Sequence, residues 1–484
     1  MDTEDICRLS AHDLAALLRD GSLRAEAVVD AVLARCDHVQ PALNAFALVD
    51  GDGARQAARD ADAARARGDT LAPLHGVPFS VKDLVHTKGL ETAFGSHLMA
   101  GQVSDHDVEA VARLKTAGAI LIGKTTTPEF AHKAITDSPR YGATRNPWNP
   151  EFSCGGSSGG AAVAVATGLG PLALTTDGAG SSRIPASCCG VLGLKPTLGL
   201  VPNEDGADLF GTFSQLGIMT RTTPDMVAML NVMAGEHHGD PWTRGVRSPP
   251  CSVPVSPVAT LRGLRVHYKP RLGNEHLDVG VAAAMEQTLD TLHHEGAVIT
   301  RSDGREDWGN ELARVTIRSP LAARMAHFSD AAREAMDPTL RAAIAESESL
   351  DLRAVQHAPL QRAALYRQTQ QIFKEADLLL TPCVSAPPPR IGHTALEPIT
   401  INGQVAGPMR ANWYNYPAPF NLTGHPAISI PVGLTPDGLP TGMQAVAPWF
   451  GEQRLVDLAA ALEHLQPWQM PPDNIRNPKS DRTP

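Results

Sequence analysis

A lysine at position 82 and serines at positions 157 and 181 stand in unusual surroundings. Lys82 lies inside the apolar run Gly76-Val-Pro-Phe-Ser-Val-Lys-Asp-Leu, Ser157 in Cys154-Gly-Gly-Ser-Ser-Gly-Gly, and Ser181 in Thr176-Asp-Gly-Ala-Gly-Ser-Ser-Arg-Ile-Pro. Each alone has an ordinary explanation: a strand lysine points to solvent, and a Gly/Ser loop is a flexible connection. Together they suit nucleophilic catalysis. A serine hydroxyl needs a base within hydrogen-bond reach, and a lysine serves when burial removes its charge. Its reference pKa of about 10.4 must fall by about 3 units, worth roughly 4 kcal/mol, for much of it to be free amine at pH 7. Phe79, Val81 and Leu84 are placed to supply that desolvation. Gly178, Ala179 and Gly180 carry little or no side chain, so their consecutive backbone N–H groups are free to converge on an oxyanion.

The elements that must position these residues are legible from periodicity. Ser10 with Asp13 resembles a capping box, Leu14, Leu17 and Leu18 form a helical stripe, and Gly21 is a stop. A second helix is expected over 22–38, and a surface helix over the Ala/Arg/Asp run from Gly53 to Gly68. From Pro73 short apolar runs alternate with helices: a strand over 77–84 carrying Lys82, a helix over 107–117, and a strand over 119–124. A small-residue helix to about Thr167 and a strand over 172–176 follow the first Gly/Ser loop. The alternation predicts an α/β fold, a single large domain whose central mixed β-sheet is covered by helices on both faces. Residues 236–260 read as a surface excursion. Beyond it are a strand at 264–268, helices near 279–295, 308–328, 331–348 and 355–376, and strands at 377–380 and 420–433.

Composition bounds the function. The 484 residues carry 42 Lys+Arg against 52 Asp+Glu, a net of −10, without the basic footprint that nucleic acid or an anionic membrane attracts. Ala161 to Leu174 is the most apolar stretch, but Gly168, Gly170 and Pro171 interrupt it well short of the roughly 20 residues a bilayer requires. The seven cysteines form no CxxC pair and no histidine spacing suited to zinc, so they are expected to be reduced core thiols. The acidic start, Met1-Asp-Thr-Glu-Asp, lacks the charge pattern of a secretory signal, and a cytoplasmic location is expected. No cofactor or metal is expected; the expected partners are a small-molecule amide and water, and a homo-oligomer is compatible with the sequence.

Gly155-Gly-Ser-Ser-Gly-Gly, then Asp177-Gly-Ala-Gly-Ser-Ser-Arg-Ile-Pro-Ala and Cys189-Gly-Val-Leu-Gly-Leu-Lys-Pro-Thr, resemble the signature of the amidase signature family. The separations of 75 residues from Lys82 to Ser157 and 24 from Ser157 to Ser181 fit that family's Ser/cis-Ser/Lys triad. Further blocks, such as Leu74-His-Gly-Val-Pro-Phe-Ser-Val-Lys-Asp and Phe420-Asn-Leu-Thr-Gly-His-Pro-Ala-Ile-Ser-Ile-Pro, spread the resemblance over nearly the whole chain. It implies one domain over 1–484: N-terminal helices in 1–70, the signature core in 71–235, a linker and α/β helical insertion in 236–376, and a C-terminal part in 377–484 completing the sheet.

The resemblance further implies that Ser181 is the nucleophile, Ser157 the bridging serine on a cis bond after Gly156, and Lys82 the ultimate base. Gly178, Ala179 and Gly180 would form the oxyanion hole, with amide hydrolysis through an acyl-enzyme and esters or carbamates as side substrates. The wording looks closest to bacterial enzymes such as aminohexanoate oligomer and cyclic-dimer hydrolases. Ala179 replaces a glycine common in the family, which leaves the hole intact if its φ is negative. Ser182 is a rival nucleophile, Arg183 and Asp177 are expected to form a bracing ion pair, and His132 and Gly156 are candidates for substrate contact, with a structural role the alternative for His132. Two other readings remain: the amidase component of a tRNA-dependent amidotransferase complex, and a non-catalytic binding scaffold. A G-x-S-x-G elbow with Ser157 as nucleophile is disfavoured because the preceding prolines break any central strand.

Overall fold

The computed structural model describes residues 1–472 apart from Ser248 and Arg305. An 11-stranded sheet runs through it. Its strands are β1 (Phe46–Val49), β2 (Pro78–Lys82), β3 (Ile120–Thr125), β4 (Leu172–Asp177), β5 (Leu192–Lys195), β6 (Gln215–Thr220), β7 (Arg265–Tyr268), β8 (Val298–Arg301), β9 (Leu378–Pro382), β10 (Ala427–Leu434) and β11 (Pro440–Val446). The spatial order is β1-β3-β2-β4-β6-β5-β10-β11-β9-β7-β8. β2 pairs in parallel with both β3 and β4, and β7 with both β8 and β9; the remaining pairs are antiparallel, so the sheet is mixed. Successive strand residues point to opposite faces, and every residue of β2, β3, β5, β6, β9 and β11 is buried. Both faces of the central strands are therefore covered, as an α/β sheet requires.

The opening helices follow their caps. Ser10 accepts from the Asp13 N–H at the start of α1 (Ala11–Asp20), and Gly21 ends it with a φ of +82°. Ala25–Leu43 forms α2, and Gly51–Ala66 forms α3, which buries only Ala54 and Ala58 and so lies on the surface as its composition requires. The small-residue helix α4 (Gly159–Ala166) is buried at every position. Its glycines permit this depth: a Cβ on Gly160 would stand 2.4 Å from both Ala45 O and Thr126 N.

Three expected elements differ. Two prolines split two of the expected helices, because each removes an N–H and clashes with the preceding turn. The segment 308–328 becomes Asn310–Arg318 and Leu321–Met325 around Pro320, and 331–348 becomes Asp330–Glu334 and Pro338–Glu348. The strand expected from Phe420 begins only at Ala427. Ala418–Leu422 is instead a helical turn that directs Asn421 inward, and Gly424, at φ +72°, reverses the chain before β10. The seven cysteines are free thiols, six of them buried. No helix among the described residues is long and apolar enough to cross a membrane.

Candidate active site

β2 and β4 are adjacent parallel strands, so their C-terminal ends bring Lys82 and Thr176 to the same edge of the sheet. Lys82 Nζ donates to Ser157 Oγ at 2.7 Å and to Thr176 Oγ1 at 2.9 Å. Ser157 Oγ in turn lies 2.9 Å from Ser181 Oγ. Three groups separated by 75 and 24 residues thus form one unbroken chain. Lys82 and Ser157 are fully buried, whereas Ser181 is half-buried and can meet a ligand. The peptide bond between Gly156 and Ser157 is cis. Burial pulls the Lys82 ammonium well below the ordinary lysine value, and the Asp177 carboxylate opposes that shift in part. A lysine so placed reaches its neutral, proton-accepting form at lower pH than a surface lysine.

Asp177 and Arg183 form the expected pair, bidentate and with neither side chain exposed: Nε to Oδ2 is 2.9 Å and Nη2 to Oδ1 is 2.8 Å. Burial alone would raise the Asp177 carboxyl, but the guanidinium holds it well below the usual carboxylate range. Arg183 also donates to Gln444 Oε1, to Asn421 Oδ1 at 2.6 Å and to Pro417 O at 3.0 Å, and Asn421 Nδ2 donates to Asp177 O at 2.7 Å. Every member of the network is hydrogen-bonded, so the turn bearing Ser181 is fixed from below by β4, β11 and the 418–422 helix. Asn421, Gln444 and Thr176 were not singled out from sequence. Asn421 stands in a block that carried the family resemblance, whereas nothing local marks Gln444 or Thr176.

Ala179 has no positive φ, so the added methyl is accommodated. The N–H groups of Gly178, Ala179 and Ser181 have no partner among the described residues, and all three residues are half-buried. Gly180 departs from expectation: it is buried, and its N–H is donated to Asp177 Oδ1 at 2.7 Å, so it anchors the turn instead of facing an oxyanion. Its own φ of +105° and the 2.6 Å that a Cβ would leave to Pro417 Cβ explain why glycine stands there. Ser182 is no rival to Ser181, being fully buried with its hydroxyl 2.6 Å from Thr175 Oγ1.

The two candidate substrate contacts are also relocated. Gly156 is buried against the Ala134–Ile135 backbone, where a Cβ would stand 2.8 Å from Ala134 C. It offers no surface to a ligand and serves to place Ser157. His132 has a side chain only 2% exposed, with Nδ1 2.7 Å from Glu129 O and Nε2 against Thr339 Oγ1. Burial pulls it down to about 3. Nδ1 is engaged within the segment after β3 and Nε2 joins that segment to the Pro338–Glu348 helix, so both ring nitrogens are occupied by the protein itself.

The family model for Amidase matches residues 27–456. An acylamidase of Rhodococcus erythropolis is 34% identical over 484 residues, covering 98% of this chain and 99% of that protein. A glutamyl-tRNA(Gln) amidotransferase subunit from Symbiobacterium thermophilum is 33% identical, covering 94% and 96%. Among solved structures, a bacterial aryl acylamidase of the amidase signature family superposes with a TM-score of 0.88 at 26% identity, covering 95% of this chain and 96% of that one. The 6-aminohexanoate cyclic dimer hydrolase, solved with its substrate, gives 0.83 at 28%, covering 96% and 99%. With that match along most of its length, on an 11-stranded mixed sheet, the chain belongs to the amidase signature family and is a hydrolase of amide bonds.

Proposed function

We propose that the chain is a stand-alone amidase that works through Ser181, Ser157 and Lys82 and an acyl-enzyme intermediate, as one domain spanning 1–484. The observation that carries this reading is the continuous path from Lys82 Nζ through Ser157 Oγ, at 2.7 Å, to Ser181 Oγ, at 2.9 Å. In the acylation step Lys82 is neutral. Ser181 passes its proton to Ser157 as it attacks the carbonyl carbon, and Ser157 passes its own to the lysine amine. A neutral Lys82 amine that donates to Thr176 Oγ1 still has a lone pair with which to accept the Ser157 proton. The carbonyl oxygen becomes an oxyanion held by the N–H groups of Gly178, Ala179 and Ser181, which are preorganised because Asp177 already holds the turn. The proton returns along the path to the departing amine, and water then repeats the sequence to release the acid. Acylation of Ser181 by an ester or a carbamate requires the same steps, so both are included as further substrates.

The name of the Rhodococcus relative supports an acyl amide as the substrate class. The second reading, a component of an amidotransferase complex, draws on the relative from Symbiobacterium. A serine-directed phosphonate, with the adduct located by mass spectrometry, tests the site: labelling at Ser181 that disappears in Ser181→Ala is expected, and labelling at Ser157 overturns the assignment. Hydrolysis of an acyl anilide by the purified chain, with no preference for glutamine, separates the two readings.

A further inference from the structure

Outside this site, the segment that follows β2 meets the loop that leads into β6 at three side chains. His86 Nδ1 lies 3.0 Å from Asp205 Oδ2, and His106 Nε2 lies 2.9 Å from the same oxygen. One donor atom from each of the three residues falls within 4.8 Å of the other two. The other ring nitrogen of His106 is 2.8 Å from Asp105 Oδ1.

The contacts have hydrogen-bond lengths, and the same three donor atoms also converge closely enough to surround a metal ion. Zinc bonds nitrogen and carboxylate oxygen at about 2.0–2.2 Å, so tetrahedral donor atoms stand about 3.3–3.5 Å apart. The two measured edges reach that spacing with a shift of roughly half an ångström. The Asp105 contact is the outer carboxylate that commonly orients a metal-bound imidazole and raises its basicity. The side chains are 36%, 48% and 33% exposed, which gives an ion an entry path and leaves room for water as a fourth ligand. Two imidazoles in the set select borderline transition metals over Mg²⁺ and Ca²⁺, which take oxygen ligands.

We propose that His86, His106 and Asp205 form a site for a divalent transition-metal ion of the zinc class that clamps the loop before β6 onto the segment following Lys82. The clamp has a consequence for the turn beneath that loop. Phe213 and Ser214, at the loop's far end, are the nearest groups to where a Gly178 Cβ would project, at 3.6 Å and 3.5 Å. Asn421 also holds Phe213 O, at 3.1 Å. Metal bound at Asp205 adds to the bonds that Asn203 makes to Asp240 and Ser214 at the near end of a loop whose far end lies beside Gly178.

The test uses the full chain, stripped with a chelator and titrated with Zn²⁺ by calorimetry, with hydrogen exchange followed over residues 203–212. One ion per chain is expected, with slower exchange in that loop. His106→Ala and Asp205→Asn should each weaken binding at least about tenfold and abolish the exchange response, and Asp105→Asn should weaken it by about 10–100-fold. Unchanged thermal unfolding of the metal-free variants shows that they fold. Equal Zn²⁺ affinity in parent and variants, absence of stoichiometric binding, or an equal response to Mg²⁺ overturns the proposal.

Discussion

Replacing Asp177 by asparagine probes whether the ion pair beneath the Ser181 turn does what its geometry implies. The substitution keeps shape but removes the charge facing Arg183 and turns an N–H donor toward existing donors. Asp177 accepts from Gly180 N at 2.7 Å and Ser182 N at 3.2 Å as well as from the guanidinium, and neither charged side chain is exposed. Stranding one member of a buried pair costs about 3–5 kcal/mol. An unfolding entropy of about 2.1 cal/mol/K per residue gives about 1 kcal/mol/K for 484 residues, so Tm should fall by about 3–5 °C. A kinetic signature accompanies the loss. Asp177 raises the Lys82 pKa against the effect of burial, so its neutralisation should move the acid limb of the pH–rate profile to lower pH. Calorimetry at one scan rate and the profile of residual activity are the assays. Asp177→Asn/Arg183→Met should lose less stability than the two single changes summed, by at least about 0.5 kcal/mol. Strict additivity, or an acid limb displaced upward, refutes the reasoning.

Three further outcomes are expected. Gly180→Ala should cost about 1–3 kcal/mol and most of the activity, because φ is +105° and the new methyl meets Pro417 Cβ at 2.6 Å; urea unfolding checks this. Burial pulls Lys195 down to about 7, while the unfolded chain keeps it near the ordinary lysine value. Between these values the unfolded state binds the extra proton, so stability rises with pH from about 7 toward 10, and Lys195→Met should flatten that rise in urea midpoints. The acylation rate should climb with pH through the depressed Lys82 pKa and then level off, and Thr176→Val should lower the plateau by several-fold by releasing the amine from its second partner. An acylation rate that falls as pH rises contradicts Lys82 as the base.

Much of the site was legible because its requirements are local. An apolar run around a lysine and glycines before a serine constrain the chain wherever they occur, and alternation of strands and helices specified the mixed sheet. Where expectation failed, long-range bonds or a proline governed. The strand expected at Phe420 yields to a helical turn whose Asn421 is bonded to Arg183, 238 residues away. His132 left two roles open, and Thr339, 207 residues on, occupies the nitrogen a substrate would need.

The sequence by itself determined the residue types: which lysine sits among apolar neighbours, which serines follow glycine, and where a backbone lacking side chains can turn tightly. These are properties of a few adjacent positions. Only the tertiary structure decided which N–H groups remain free for an oxyanion, since Gly178, Ala179, Gly180 and Ser181 differ in whether Asp177 already accepts their hydrogen bond. It alone brought His86 and His106 to Asp205, across 119 and 99 residues. Hydrogen-bond partners are a matter of distance in space, and the order of residues along a chain does not fix that distance until the sheet has formed.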